Sequence, residues 1–403
     1  MSEARAKRKG LYRIACIPGD GIGPEVTAQA RRTADAAAAR GGFRLEWTEY
    51  PYGAGHYLST GEILPHGALE ALADSDALYL GAIGDPRVAP GLLERGILLR
   101  LRFHFDQYVN LRPARSYAGV PTPVRIPEGR RIDTVVVREN TEDLYLGLGA
   151  VAVGAASGPD RLDLAVDQPV GPNRLSGHLA LALEGTPGEP PRPRGTDPSV
   201  RDFSASLAVE TRPGVERIAR YAFETARRRG EKEIVLATKA NAVPHLYGYF
   251  ESVVVVVARD YPDVALRKEN VDALCYRMVR EPERYGTILC PNLFGDIVSD
   301  LAAGICGGMG VAPGANLGDR LSLFEPVHGS APDIAGTGRA NPLAAILAAA
   351  LMLEHLGEAD AARAVEAAVE ADLREAPAAD RPFEFGGSAS CTAVGERIAR
   401  RIG

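Results

Sequence analysis

The sequence predicts an α/β protein, on three observations. Short apolar runs of strand length recur along the chain, and each ends in a loop rich in polar residues. Alanine- and leucine-rich stretches of helical length lie between and after them. At 403 residues, with 46% apolar and 24% charged, the chain can build one large or two ordinary domains, and wholesale disorder is excluded.

The first run, Leu11–Ile17, enters the glycine loop "IPGDGIGPEV" and then an alanine-rich helix, with Pro24 suited to its first position. That loop lacks the GxGxxG spacing and the following acid of a Rossmann fingerprint. Ala77–Ile83, Thr134–Val137, Ile234–Thr238 and Thr287–Cys290 read as buried strands, with function expected at their carboxyl ends. Val253–Val257, a run of five valines, is expected in the core. Pro342 to Leu356 and Ala359 to Ala376 read as two helices split by Gly357. Between 147 and 204 Gly, Pro, Ser and Arg dominate and no helix of ordinary length fits. Short strands at Leu162–Val166 and Ser206–Val209 make this stretch a projecting arm or hairpin, or else a linker.

A net charge of -6 carries no electrostatic footprint for nucleic acid. No run of about 18 apolar residues predicts a membrane span, and the basic residues Arg5, Lys7, Arg8 and Lys9 precede no apolar core of a secretory signal. Five scattered cysteines without a CxxC pair fit reduced thiols, so a cytoplasmic location is expected.

The residues that carry chemistry follow the strands. Asp296 and Asp300, in "CPNLFGDIVSDLAAGICGGMG", are four apart and share a helical face. They repel unless a cation or a basic side chain lies between them; alternatively they serve the helix dipole. Arg102, Arg112 and Arg138 offer guanidinium forks suited to a di-acid, although surface positions would explain them as well. Tyr145 follows Arg138, and Lys239 ends the apolar strand "IVLATK", where a lysine serves as a base or merely reaches solvent. "FEPVHGSAPDIAGTGRANP" is too rich in glycine and proline for helix or strand, and Asp333 within it suits a ribose diol.

"IPGDGIGPEV", "NLRP", "VVVREN", "NLFGDIVSD" and "FEPVHGSAPDIAGTGRANP" in this order resemble the metal-dependent β-decarboxylating dehydrogenases acting on isopropylmalate, isocitrate, homoisocitrate, tartrate or D-malate. The resemblance runs from about Tyr12 to Ile398. It implies an isopropylmalate dehydrogenase-like two-domain fold with a mixed central sheet rather than a Rossmann fold. Residues 1–108 and 307–403 would form a large cofactor-binding domain, and 109–306 a smaller one with the contact of a homodimer. The extended arm at about 147–204 would belong to the smaller domain and is longer than in compact relatives.

Residue by residue, the resemblance assigns Arg102, Arg112 and Arg138 to the substrate carboxylates, Tyr145 and Lys239 to catalysis, and Asp272, Asp296 and Asp300 to Mg²⁺ or Mn²⁺. Lys239 and Asp272 would serve the neighbouring subunit's site. Lys239 would take the hydroxyl proton during hydride transfer, and Tyr145 would protonate the carbon left by CO₂. Ile22, His328, Gly329, Ser330, Ala331, Asp333, Ile334 and Asn341 would hold the cofactor, NAD rather than NADP because Asp333 opposes a 2′-phosphate. Leu98 and Leu99, three and four residues before Arg102, would share its helical face and meet the 3-substituent. "LERGILLRLRF" resembles the isopropylmalate branch, whereas "RENTE" is more usual among isocitrate, tartrate and D-malate enzymes. A 3-substituted malate is therefore the expected substrate. Tartrate or D-malate, isocitrate or homoisocitrate, and a phosphonate analogue are the alternatives. A non-catalytic regulatory subunit is a further one, opposed by the intact site residues.

Overall fold

The computed structural model describes residues 10–152, 160–170, 173–183 and 203–403. β1 (Leu11–Gly19), α1 (Gly23–Gly41), β2 (Arg44–Glu49), α2 (Ala54–Thr60), α3 (Ala68–Ala73) and β3 (Ala77–Ala82) open the chain. A π-helical turn at Glu94–Leu99 continues into α4 (Arg100–His104), followed by β4 (Val109–Arg115) and β5 (Asp133–Glu139). Next come β6 (Leu148–Ala152), β7 (Asp160–Val170), β8 (Asn173–Leu183) and β9 (Phe203–Leu207). Then α5 (Arg212–Arg228), β10 (Glu233–Thr238), α6 (Tyr247–Ala258), β11 (Ala265–Asn270), α7 (Val271–Arg280), β12 (Thr287–Cys290) and α8 (Asn292–Ile305) alternate. β13 (Pro313–Leu317), β14 (Leu323–Pro326), α9 (Leu343–His355), α10 (Ala359–Glu375) and α11 (Cys391–Ile402) complete the chain.

Ten strands form one sheet in the order β11-β10-β12-β5-β4-β13-β14-β3-β1-β2. It is mixed, because β4 runs antiparallel to both β5 and β13, and β13 antiparallel to β14, while the other pairs are parallel. Strands from residues 109–306 fill one half of the sheet and strands from the two chain ends fill the other. β4 and β13 join the halves, with Asn110 opposite Asn316.

Small side chains let the helices close on the second half. Ala30, Ala34 and Ala37 of α1 and Ala345, Ala348 and Ala349 of α9 are buried in one core cluster. Gly357, at φ 91, ends the α9 stretch where only glycine turns without strain. The run at Val253–Val257 is helical, so not all of it faces inward. Val253, Val254 and Val257 are buried, but Val256 is 41% exposed, because a helix places residues three and four apart on one face. The helix α11, capped by the Ser390 hydroxyl on the Ala393 N–H, was not expected.

In the segment after Tyr145 every described stretch from 148 to 207 is strand. β7 and β8 pair antiparallel from Asp160–Leu183 to Val170–Asn173, which is the hairpin rather than a linker. Val166 and Val170 of this hairpin pack with Leu146 and Leu148 at its base. Among the described residues no helix is long and apolar enough to cross a membrane, and all five cysteines are free.

Candidate active site

The strand period of two puts Asn110 and Arg112 on one face of β4. Arg138 of β5 lies directly opposite Asn110, and Asn316 of β13 lies opposite it on the other side. A polar row thus crosses three strands. The Asn110 amide donates to Asn316 Oδ1 at 2.7 Å, and Asn316 donates to Glu325 Oε1 at 2.7 Å. Arg112 Nε donates to Asn110 Oδ1 at 2.8 Å, and Arg102 NH2 lies 3.7 Å from Glu325 Oε1. Arg102 reaches this row from α4, is 4% exposed, and leaves its Nε buried without a partner among the described residues.

Arg138, 1% exposed, is held by two hydrogen bonds to Asn292 Oδ1, at 3.0 and 2.8 Å. Its remaining amino group pairs with Asp296, and its guanidinium lies over the Tyr145 ring, 4.8 Å from the centroid. The Tyr145 hydroxyl donates to the other oxygen of Asp296 at 2.6 Å. Gly295 of α8 makes this approach possible, since a Cβ there would lie 2.3 Å from Arg138 Cγ. Arg138, Tyr145 and Asp296 thus form one bonded set, and Arg112 and Arg102, linked through Asn110, Asn316 and Glu325, form a second beside it, close enough for both arginines to act on Asp296.

The electrostatics follow from burial. Burial pushes Arg102 down to about 10, with Glu325 opposing and Arg138 and Arg112 adding, and it lowers Arg112 in the same way. Burial alone would raise the Asp296 carboxyl. Arg138, the Tyr145 hydroxyl, Arg112 and Arg102 outweigh that and hold it below the usual carboxylate range. Asp300, one helical turn on, is pushed up by burial and by the Asp296 charge, against the pull of Arg112. Burial and the bond to Asp296 raise Tyr145, so its hydroxyl keeps its proton near neutral pH.

Lys239 and Asp272 form a separate pair, Nζ to Oδ1 at 2.6 Å, with Asp272 68% exposed. Among the described residues of the single chain, no group of three or more His, Cys, Asp or Glu side chains is placed to hold a metal ion. Asp296 and Asp300 supply two hard carboxylate donors of the kind Mg²⁺ and Mn²⁺ require, and the chain's own Asp272 stands with Lys239 elsewhere.

The second half of the site forms around the glycine loop. Ile22 N–H donates to Ser330 O at 2.8 Å, tying that loop to His328–Ala331. Gly21, at φ 56, allows this closeness, because a Cβ there would lie 2.0 Å from the Ser330 carbonyl oxygen. His328 is half-buried and lowered by burial, which leaves a neutral imidazole. Its Nδ1 lies 3.0 Å from the Gly329 carbonyl, and its Nε2 is buried without a partner among the described residues. Gly329 is exposed, and Ala331 takes a left-handed φ of 38. Asp333 is exposed, Ile334 packs on the core, and Asn341 donates to Glu384 at 2.8 Å.

Leu98 and Leu99 are half-buried, and Leu98 packs against the cluster containing Leu64, Ile97 and Leu101. They sit at the end of the π-helical turn, whose wider winding changes the simple three-and-four spacing to Arg102. The same turn brings Glu94 close to Gly84, just after β3. A Cβ on Gly84 would lie 3.3 Å from Ser330 Oγ and 3.6 Å from Glu94 Oε1. Glu94, Asn110, Asn292, Asn316 and Glu325 were not singled out from the sequence. Of these, Asn110 carried a signal, its place two residues before Arg112 in a strand.

The isocitrate/isopropylmalate dehydrogenase family profile matches residues 13–398. The chain is 42% identical over 393 residues to a 3-isopropylmalate dehydrogenase of Thermobifida fusca, covering 97% of each chain. It is 43% identical over 394 residues to that of Mycobacterium tuberculosis, covering 97% of this chain and all of the other. Among solved structures, an isocitrate dehydrogenase from Methylococcus capsulatus superposes with a TM-score of 0.77 at 34% identity, covering 97% of this chain and 99% of the other. A β-decarboxylating dehydrogenase from Thermococcus kodakarensis gives 0.70 at 34% identity, covering 97% and 96%.

Proposed function

We propose, from the premise that the chain belongs to the isocitrate/isopropylmalate dehydrogenase family, that it oxidises and decarboxylates a 3-alkyl malate, 3-isopropylmalate or a close relative, with NAD and Mg²⁺ or Mn²⁺. The observation that carries this reading is the gathering of three buried arginines, Tyr145 and Asp296 in one place, with Arg138, Arg112 and Arg102 all acting on the Asp296 carboxylate. Buried guanidinium groups have already lost their water, and a dianionic hydroxy acid compensates them with charge-assisted hydrogen bonds. The orphaned Nε of Arg102 is a donor without an acceptor among the described residues.

Arg102, Arg112 and Arg138 bind and orient the two carboxylates. Leu98 and Leu99 offer apolar contact to the 3-substituent, which favours alkyl over a further carboxylate by roughly 0.8 kcal/mol per buried CH₂. Tyr145, kept protonated, delivers a proton to the carbon that loses CO₂. Lys239 takes the proton of the 2-hydroxyl. Asp296 and Asp300 hold the divalent ion, with Asp272 supplied by a second copy of the chain. The ion, when bound, contributes Lewis acidity at the oxygen on C2. The His328–Ala331 loop, Asp333, Ile334, Asn341 and Ile22 would hold the dinucleotide, which would supply the hydride acceptor, and Glu94 lies beside Gly84, which approaches Ser330 of that loop.

A homodimer with shared sites is part of the proposal. Tyr276 and Val279 of α7 and Ile297 of α8 are 66%, 46% and 54% exposed, an apolar surface beside Asp272 that a second copy would cover. The arm would extend that contact, and the two halves of the sheet would act as the two domains.

The test is an NAD reduction assay on chelator-stripped protein with Mn²⁺ restored. The panel comprises 3-isopropylmalate, D-malate, tartrate, isocitrate and homoisocitrate. We expect 3-isopropylmalate to lead, no activity without the ion, and severe loss in Asp300→Asn with an unchanged melting temperature. Full turnover without any divalent ion would overturn the reading.

A further inference from the structure

The polar row that carries the candidate active site has an apolar row one residue away on the opposite face of the sheet. Val137, Leu111, Ala315 and Phe324 are successive partners across β5, β4, β13 and β14. Behind them lies a cleft of ≈ 790 Å³, within the range of small-molecule sites. Leu111, Ala315 and Phe324 line its floor.

Two helices wall this cleft, each with a stripe of one-face spacing. α5 contributes Tyr221, Thr225 and Arg228, and α9 contributes Leu347, Leu351 and Glu354. The walls come from opposite halves of the sheet, so an occupant touches both. The charges on the rim are unequal in their commitments. Arg115 is paired with Asp133 and Glu366, and Arg229 with Asp133 and Glu231. Arg228 has no carboxylate partner among the described residues; it donates to the Thr225 hydroxyl at 3.0 Å and lies over the Tyr221 ring at 5.4 Å.

We infer that this rear cleft is a binding site for a small monocarboxylate with an aromatic or branched apolar body, and that its occupant adjusts the set of the two halves. The apolar floor takes the body and Arg228 takes the carboxylate. Glu354 and Asp319, also on the lining, oppose a second negative charge, which distinguishes this ligand from the di-acid bound on the other face. Coupling is direct, because Leu111 in the floor is the chain neighbour of both Asn110 and Arg112. The binding claim stands apart from the reaction proposed above; only its effect on turnover rests on that reading.

The test uses the full-length protein saturated with NADH, Mn²⁺ and its best hydroxy di-acid, a complex that cannot turn over, titrated calorimetrically with 3-phenylpropionate and, as a neutral control, 3-phenylpropanamide. Saturable binding of the carboxylate is expected despite the filled active site. In Arg228→Gln, an exposed position, the carboxylate should bind about tenfold more weakly and the amide unchanged. Leu351→Trp, which fills the cleft from a half-buried position, should abolish both, with folding checked by its melting temperature. Bound probe should shift KM for the di-acid without competing with it. No saturable binding at millimolar probe, displacement by di-acid or NAD, or unchanged affinity in Arg228→Gln would each overturn the inference.

Discussion

Gly295→Ala is a small change with two opposed expectations. In an exposed helix interior, glycine to alanine stabilises by about 1 kcal/mol. Here the added methyl would lie 2.3 Å from Arg138 Cγ, 2.6 Å from its Cβ and 3.0 Å from its Cδ. Ordinary carbon contacts are about 3.5–4.0 Å, so the arginine stem or the helix must retreat by roughly 1 Å. Arg138 cannot yield freely, since Asn292 holds its fork by two hydrogen bonds and Asp296 and Tyr145 close over it. Overpacking of this kind costs about 1–3 kcal/mol, which cancels or exceeds the helix gain. A displacement of about 1 Å in a substrate-orienting group lowers the rate about 100-fold. The assay pairs a thermal melt with kcat/KM for the best di-acid of the panel. The melting temperature should stay level or fall, and kcat/KM should drop by about two orders of magnitude. A raised melting temperature together with full activity would show that Arg138 is neither clamped nor needed where it lies.

Asp333→Lys should narrow or reverse a preference for NAD over NADP, read as the ratio of kcat/KM for the two cofactors; equal use of both by the wild type would refute the placement of this loop. Leu98→Asn should erode the preference for 3-isopropylmalate over isocitrate, and a wild type that favours isocitrate would refute the apolar contact. Glu210→Met should raise the melting temperature more at pH 8 than at pH 5. Burial, with the charges of Glu139, Asp143 and Glu142 adding, holds the Glu210 carboxyl well above its usual range, and neither oxygen has a partner among the described residues. The folded state then keeps a proton that the unfolded chain loses near pH ~4.3, so this group's destabilisation grows as pH rises from there. A gain independent of pH would refute that account.

Local chain order was enough for the elements that carry the chemistry. The apolar run at Thr287–Cys290 is a strand with those same ends, and the two helices divided at Gly357 are α9 and α10. Asp296 and Asp300 do share a turn of α8, because helical spacing depends on nothing beyond the backbone. The order of short motifs was likewise enough for the family, since each motif is contiguous. What lay beyond the sequence was every relation between motifs. That Arg102, Arg112 and Arg138 converge depends on β4 running antiparallel between β5 and β13, a pairing that no run of residues encodes locally. The asparagines that brace them look like ordinary polar residues until the strand register sets Asn110 opposite both Arg138 and Asn316. The π-helical turn at Glu94–Leu99 shifts the leucines from simple helical spacing, because one wider turn alters the phase of everything before Arg102. The rear cleft is the extreme case: its floor residues are apolar strand positions that read as core. They line a cavity only because α5 and α9, distant in sequence, stand apart across the sheet. Periodicity and motif order are local properties and survive in the sequence, whereas convergence and cavities arise from long-range packing and exist only once the chain has folded.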